Sequence, residues 1–441
     1  MATITQAFAG HPYPSRCLLV CLLLAVGHSP DLAAAMGKIP SVEIEQRSRF
    51  ESLDGRLPTS RSDSDQLLAL RTRMLASYRS AHFIAVTELM DSRQLLADRD
   101  SLLNNTVVNS SDILQTYLQW FTPGIGATDS KGQVQIGRFT KDINSRRLFA
   151  RNSYRNTINS YTGIAWQQTS ASTELGAFYL VPVEPRPGDI AALRHNAFRW
   201  DREQSQLRTW GIHGSRSGLL PGINGDALLI AIDEEDDGRH QTRDRQYLTL
   251  DFRLSKVAAP ATWNFEIEVA LQEGELSRNN APNAATLDHR AQFYHAQLGY
   301  SFEDSWQTTV SMQIDYASGE NNGFDDKDEA FDTLFGARRF DFGPTGIYGP
   351  FVRSNIYSPG LRLSATPGRG QSLTVAHRHY WDAQGISGQN RFQGRQTEFS
   401  LGWHTPVDWL QLETGGAWLD GASGQDDLRY FYFQLTASFS R

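Results

Sequence analysis

Glu266 and Glu268, two apart in "WNFEIEVALQ", are of a type and spacing that can do chemistry. Paired carboxylates flank the scissile bond in glycoside hydrolysis, one as acid, the other as base or nucleophile. In a strand, residues i and i+2 point to the same side, so the pair fits a polar interior wall equally well. A denser acidic run, "DEEDDG" at 233–238, has the charge to hold calcium. It lacks the spaced Asp-x-Asp-x-Asp-Gly with a distal Glu that a calcium loop uses. It fits a solvated loop, or a segment that bridges calcium or lipopolysaccharide. The eleven histidines contain no His-Glu-x-x-His, and "HRHY" at 377–380 fits a strand surface. There is no Gly-x-Ser-x-Gly elbow and no phosphate loop. These residues call for no cofactor and no metal.

The arginines follow a plainer pattern. Arg71, Arg73 and Arg79 share one parity, with Leu68, Leu70, Met74 and Tyr78 on the other. Arg253 falls on the polar parity of "YLTLDFRLS" with Asp251. Arg93 and Arg138 sit just beyond strand ends. Arg146, Arg147, Arg151 and Arg155 crowd one long connection, placed here as an outer loop away from the narrowest point. Arg338, Arg339 and Arg353 lie in the longest connection, which is rich in glycine and aromatic residues. The acids of matching parity are Glu88, Asp251, Glu266, Glu268, Asp315, Glu398 and Glu413. Basic residues concentrate early and acidic ones late, so a closed wall would set a basic side against an acidic one. Ordinary salt-bridge structure accounts for the same residues.

The elements that carry these side chains are strands. "YFYFQLTASFSR" ends the chain with Phe431, Phe433, Leu435, Ala437 and Phe439 on one parity and Tyr430, Tyr432, Gln434, Thr436 and Ser438 on the other. A period of two is a strand with one apolar and one polar face. About eighteen such segments follow one another, most near the roughly 9–11 residues of a tilted membrane strand. Their connections alternate. Short ones fall at Ser80, Ser170, Glu303, Thr366 and Pro406; long ones span Asp91–Ser111, Thr140–Ser160, Glu184–Gln206, Gly274–Asp288 and Glu320–Tyr357. Two connections, near Pro123 and Ser217, are longer than this scheme prefers. The fold expected is all-β: a single antiparallel transmembrane barrel of about eighteen strands, with short periplasmic turns and long outer loops. The apolar parity then faces lipid, and the last strand pairs with the first, because an open edge cannot exist in hydrocarbon. A soluble glycan-binding or glycan-cleaving β protein is the alternative.

The 441 residues carry a net charge of -7, which excludes a generally basic nucleic-acid binder. Arg16, "CLLVCLLLAV" and "AAA" at 33–35 have the order of a secretory signal peptide. The domains expected are a leader at 1–35 and a barrel at 36–441. Both cysteines, Cys17 and Cys21, lie in the leader, so the mature chain has no disulfide framework.

Several blocks occur in a telling order: "SRFE" at Ser48, "LRTRMLASY" at Leu70, "AVTELMDSR" at Ala85 and "QIGRFTKDINSRRLFARNSYRN" from Gln135. "DYASGENNG" at Asp315 and "FDTLFGARRFDFGPTGIYGPFVRSN" from Phe331 follow. This order resembles the alginate-export family of outer-membrane porins over most of the mature chain. The resemblance implies a monomeric outer-membrane barrel of a Gram-negative bacterium, in contact with lipid and lipopolysaccharide and folded by the outer-membrane insertion machinery. It implies a passive channel, not an enzyme, for an anionic polysaccharide or oligosaccharide; a general or small-anion porin is the alternative. The family reading asks for fixed positive charge in the pore. A guanidinium pairs with a carboxylate in a fork and stays charged at any pH. Arg71, Arg73, Arg93, Arg138, Arg253, Arg338, Arg339 and Arg353 are the channel candidates, with Glu266, Glu268 and Asp315 as their acidic counterparts.

Overall fold

The computed structural model describes residues 40–57, 63–126, 129–236, 241–321, 323, 325–385, 391–422 and 426–440. The expected leader lies outside them, as do Asp237 and Gly238 of the acidic run.

The first strands are β1 (Ser41–Asp54), β2 (Ser64–Arg79), β3 (Phe83–Leu95), β4 (Asn109–Pro123), β5 (Lys131–Phe139), β6 (Tyr161–Thr169) and β7 (Thr173–Glu184). A short helix, α1 (Ile190–Arg194), and a two-residue strand, β8 (Arg202–Glu203), precede β9 (Leu207–Leu220), β10 (Ile223–Glu234), β11 (Gln246–Lys256), β12 (Thr262–Ser277), β13 (Thr286–Ser301) and β14 (Thr309–Ala317). Another two-residue strand, β15 (Lys327–Asp328), and the one-turn α2 (Arg339–Phe342) come before β16 (Ile356–Ala365), β17 (Gln371–Trp381), β18 (Phe392–His404), β19 (Leu410–Gly421) and β20 (Leu428–Ser440).

Setting β8 and β15 aside, eighteen strands pair antiparallel in chain order, with β7 against β9 and β14 against β16. The wall closes where β1 meets β20, with Phe50 opposite Phe433 and Gln46 opposite Ala437. Closure leaves no edge to satisfy in lipid.

Side chains sort by parity. Phe431 and Phe433 are 46% and 45% exposed, whereas Tyr430 and Tyr432 are 2% and 0%. Ile267 and Leu271 stand outward on β12 while Glu268 is buried. This continuous outward apolar belt overturns the soluble alternative, because in water it would be left uncovered. Aromatic contacts mark the turn-bearing end: Trp263 on Tyr300, Tyr300 on Phe302, and Trp409 stacked on Phe439. Such rings suit the membrane interface. Among the described residues, no helix is long and apolar enough to cross a membrane.

The connections alternate as expected, with one correction. The connection near Ser217 is a two-residue turn, because β9 runs on to Leu220 and β10 starts at Ile223. Gly222 takes a positive φ of 73° there, a conformation glycine adopts without steric cost. The connection after Pro123 does stay long, running to Ser130. On the other face, 140–160 and 318–355 are the loops that matter most, because their aromatic residues fill the lumen. Phe149 is wholly buried against Tyr161, Phe178 and Phe335, at centroid distances of 4.5, 5.4 and 5.3 Å.

Candidate substrate channel

Loops 140–160 and 318–355 are stitched to each other inside the barrel. Phe335 N–H donates to the Leu148 carbonyl (3.0 Å), Ala150 N–H to Phe335 (3.2 Å) and Ala337 N–H to Arg146 (2.9 Å). Gly336 permits this approach, since a Cβ there would lie 1.7 Å from the Arg147 carbonyl oxygen. The two loops form one plug.

One side of the plug is anchored to the acidic wall. Arg147 donates through Nε and Nη2 to Asp341 at 3.0 and 3.1 Å, and through Nη1 to Glu266 and Glu268 at 2.5 Å each. Arg353, wholly buried, donates to the carbonyls of Arg147 and Ala337 and to Asp341. Burial by itself would raise the Asp341 carboxyl, but Arg147 and Arg353 hold it well below the usual carboxylate range. Glu266 is shared with Arg253 at 2.9 Å. Asp315 is held by Arg378 and by His295, whose Nδ1 lies 2.8 Å away. His295, Asp315 and Asp341 bring ligand-type atoms close enough for a metal ion. Both carboxylates are already spent on guanidinium groups, so a cation would have to displace arginine.

The opposite side of the plug meets the basic wall of β1 and β2. Arg47 donates to the carbonyls of Ser153, Tyr154 and Arg155 at 3.0, 3.0 and 2.8 Å. Arg71 donates to Ser153 and Arg155 at 2.9 and 3.0 Å, and Arg49 to Tyr154 at 2.7 Å. The Tyr154 ring lies under the guanidinium groups of Arg49 and Arg339, at 4.5 and 4.9 Å. Cations over ring faces attract electrostatically. Arg73 ties Glu45 to Glu88, at 2.6 and 2.7 Å.

Between the plug and this wall is a cavity of about 570 Å³. Arg47, Arg71, Arg73, Arg146, Arg151 and Arg339 line it, against the carboxylates of Glu45, Asp142 and Glu413. Glu88 also pairs with Arg73 and Arg151 at 2.7 and 3.3 Å, and Glu398 lies 3.8 Å from Arg339, so six guanidinium groups meet five carboxylates and a small positive surplus remains in this half-open space. Such a space concentrates anions.

The structure gathers some sequence candidates here and scatters others. Arg71, Arg73 and Arg339 line the cavity; Arg253, Glu266, Glu268 and Asp315 form the acidic wall, as the parity predicts. Arg353 is inside the plug. Arg338 donates to the Phe351 carbonyl at 3.0 Å, and burial, with Arg155 and Arg353 nearby, lowers its pKa to about 10. Arg93 and Arg138 are corrections. Neither lies beyond a strand end: Arg93 is in β3, exposed on the outward parity and paired with Asp91 at 2.8 Å. Arg138 is in β5, on the parity of the exposed Ile136, and reaches Glu203 at 2.8 Å. Arg147 is the larger correction, since it sits at the centre of the plug and not in an outlying loop. Within "HRHY", His377 stays at the exposed surface, but Arg378 and Tyr380 turn inward and are buried. The acidic run is spent on neighbours: Glu234 on Arg245 at 2.7 Å, and Asp236 on the Thr242 N–H at 2.6 Å.

Arg146 and Arg151, placed with Arg147 in an outer loop, line the cavity instead, and Arg47, Arg49 and Asp341 are residues the sequence reading does not single out. For β1 a signal was available: Glu45, Arg47, Arg49 and Glu51 alternate with Ile44 and Phe50. For the loop residues, no periodic signal exists.

The profile of the alginate export family matches residues 40–426. No curated protein matches the sequence. The fold is similar to that of OpdK from Pseudomonas aeruginosa, solved with vanillate (12% identity, TM-score 0.59, 91% of this chain and 99% of that one). It is also similar to a BenF-like porin from Pseudomonas fluorescens Pf-5 (9%, 0.61, 91% and 99%) and to OccAB4 from Acinetobacter baumannii (9%, 0.60, 92% and 99%).

Proposed function

Because the chain belongs to the alginate export family and is an outer-membrane channel, we propose that it passes an anionic saccharide of the alginate kind through the barrel lumen. The observation that carries this reading is the cavity in which six arginines meet five carboxylates. A polyuronate bears about one carboxylate per sugar, and each is a partner for the planar fork of a guanidinium. Phe340, exposed beside Arg146, offers an apolar face to a sugar ring. Transport is passive and needs no covalent step. One closed chain makes one pore, so the channel acts as a monomer. Its outward belt meets lipid and lipopolysaccharide, and β20 is the segment offered to the insertion machinery.

The filled lumen favours a second reading, a porin for small carboxylated solutes. The similarity to OpdK, solved with vanillate, supports the same reading.

Planar-bilayer recordings separate the two. Both readings give an anion-selective reversal potential at low salt that weakens toward 1 M, where the screening length is about 3 Å. Current block by trigalacturonate, with none by maltotriose, supports the saccharide. Passage of glucuronate without block by the trimer supports the small-solute porin. Cation preference at low salt refutes both.

A further inference from the structure

Arg47 is 3% exposed, and among the described residues no carboxylate pairs with it. Its acceptors are three main-chain carbonyls and the Asn156 side-chain oxygen, at 3.1 Å. Its Nε and that of Arg71 are buried with no partner. Arg71 shares two of those carbonyls, Ser153 and Arg155, and is only partly balanced by Glu45, at 3.2 Å. Arg49 differs, because Glu51 pairs with it at 2.8 Å. A buried cation without a counter-charge is costly. Neutral carbonyls satisfy its N–H donors but cancel none of its charge, which a carboxylate would do.

The carbonyls belong to a short segment with fixed ends. Arg151 is held by the Thr140 hydroxyl at 2.7 Å. Asn156 donates to the carbonyls of Leu70 and Val107 at 3.1 and 2.7 Å. Between them, Asn152 is in the left-handed region at φ 56°. Between those anchors the carbonyls of residues 153–155 are held by side chains of the wall, Arg47, Arg71 and, at Tyr154, also Arg49 at 2.7 Å. Arg47, Arg71, Ser153 and Tyr154 all border the 570 Å³ cavity, so an anion inside it is next to the guanidinium pair.

We propose that Arg47 and Arg71 form a carboxylate site that the carbonyls of Ser153, Tyr154 and Arg155 occupy when no solute is present. A uronate carboxylate entering from the cavity supplies two charged oxygens to the pair and displaces the three carbonyls. Residues 152–155 then leave the β1–β2 wall and carry the Tyr154 ring away from Arg49 and Arg339. The anion thus widens its own path, and a neutral sugar does not. The inference rests on the anion-channel reading above.

Hydrogen exchange read by mass spectrometry on the full-length channel in detergent tests it. The peptide covering 150–158 is followed with trigalacturonate, with maltotriose, and with sodium chloride of equal ionic strength. The expected result is about tenfold faster exchange with trigalacturonate, equivalent to ~1.4 kcal/mol, and no change with the other two. Arg47→Gln keeps a donor for the carbonyls but removes the charge, and should abolish the response; Arg71→Gln should reduce it. Slower gel migration after boiling confirms that each variant is folded. Unchanged exchange in the wild type, while trigalacturonate still blocks current, overturns this inference and leaves the channel reading intact. A wild-type response in Arg47→Gln also overturns it. Absence of both block and anion preference overturns the channel reading itself.

Discussion

Arg147→Met removes the cation that fastens the plug to the acidic wall. Four hydrogen bonds from its guanidinium are lost. The acids are not left equally exposed to that loss. Glu266 keeps Arg253 at 2.9 Å, and Asp341 keeps Arg353 at 2.5 Å. Glu268, wholly buried, keeps among the described residues the Ser145 hydroxyl at 2.7 Å and Arg253 at 3.9 Å. Removing one partner of a buried ion pair costs about 3–5 kcal/mol. Entry of water offsets part, so the lower end applies, ~3 kcal/mol, or about 100-fold in an equilibrium. The strand β12 is held on both sides by β11 and β13, so this cost falls on plug docking and not on the wall. Single-channel conductance should therefore rise, and limited proteolysis should cut 140–160 and 318–355 faster, while slow migration after boiling is retained. Adding Glu268→Gln should restore part of the docking, because a neutral amide leaves no orphan charge. Wild-type conductance and wild-type proteolysis in Arg147→Met would refute the assignment of Arg147 as the plug's anchor.

Gly336→Ala should open the same plug without touching a charge, since its Cβ would meet the Arg147 carbonyl oxygen at 1.7 Å; equal conductance to wild type would exclude that contact. Phe433→Arg places a charge on lipid and should cost about 2–4 kcal/mol in urea titrations of vesicle-folded protein, whereas Gln434→Arg, one step along and facing inward, should cost far less. Asp201, in the 185–206 connection, has its carboxyl pushed up to about 7 by burial and by Asp112. The docked segment therefore binds its proton more tightly than the undocked one, and docking is strongest at acid pH and weakens as pH rises through 7. Exchange of peptides covering 185–203 should speed up from pH 5.5 to 8 beyond the intrinsic rate, and Asp201→Asn should remove that excess. N-terminal sequencing of protein recovered from outer membranes should begin near Met36; an intact leader there would contradict the signal peptide.

The wall was legible because its two environments alternate with the strand period. Phe431, Tyr432 and Phe433 are all aromatic, yet the middle one is buried and its neighbours are exposed. Only the strict count of two sorts them, and it sorted Arg71, Arg73, Arg253, Glu266, Glu268 and Asp315 in the same way. Arg93 and Arg138 went wrong for a related reason. Each was placed past a strand end, where parity carries no information. The strands β3 and β5 in fact continue through them, and the count, applied there, puts both on the outward face.

Loop residues obey no such count, so their place depends on what the wall presents to them. An inward acid on β12 cannot remain unpaired in a narrow lumen. Glu268 and Glu266 outnumber Arg253, their one cationic neighbour on β11, so another cation must come from off the wall. Arg147 supplies it, from a loop more than a hundred residues earlier in the chain. On the basic wall the same rule fails to close. Among the described residues Arg47 meets carbonyls and no carboxylate, and Arg71 shares Glu45 with Arg73. On the acidic side the chain supplies Arg147, Arg253, Arg353 and Arg378, although Asp251 stays buried with one oxygen unpartnered; on the basic side Arg47 keeps a charge with no counter-ion among the described residues. A surplus of that sign, on a wall bordering an open cavity, is where an anionic solute gains most by entering.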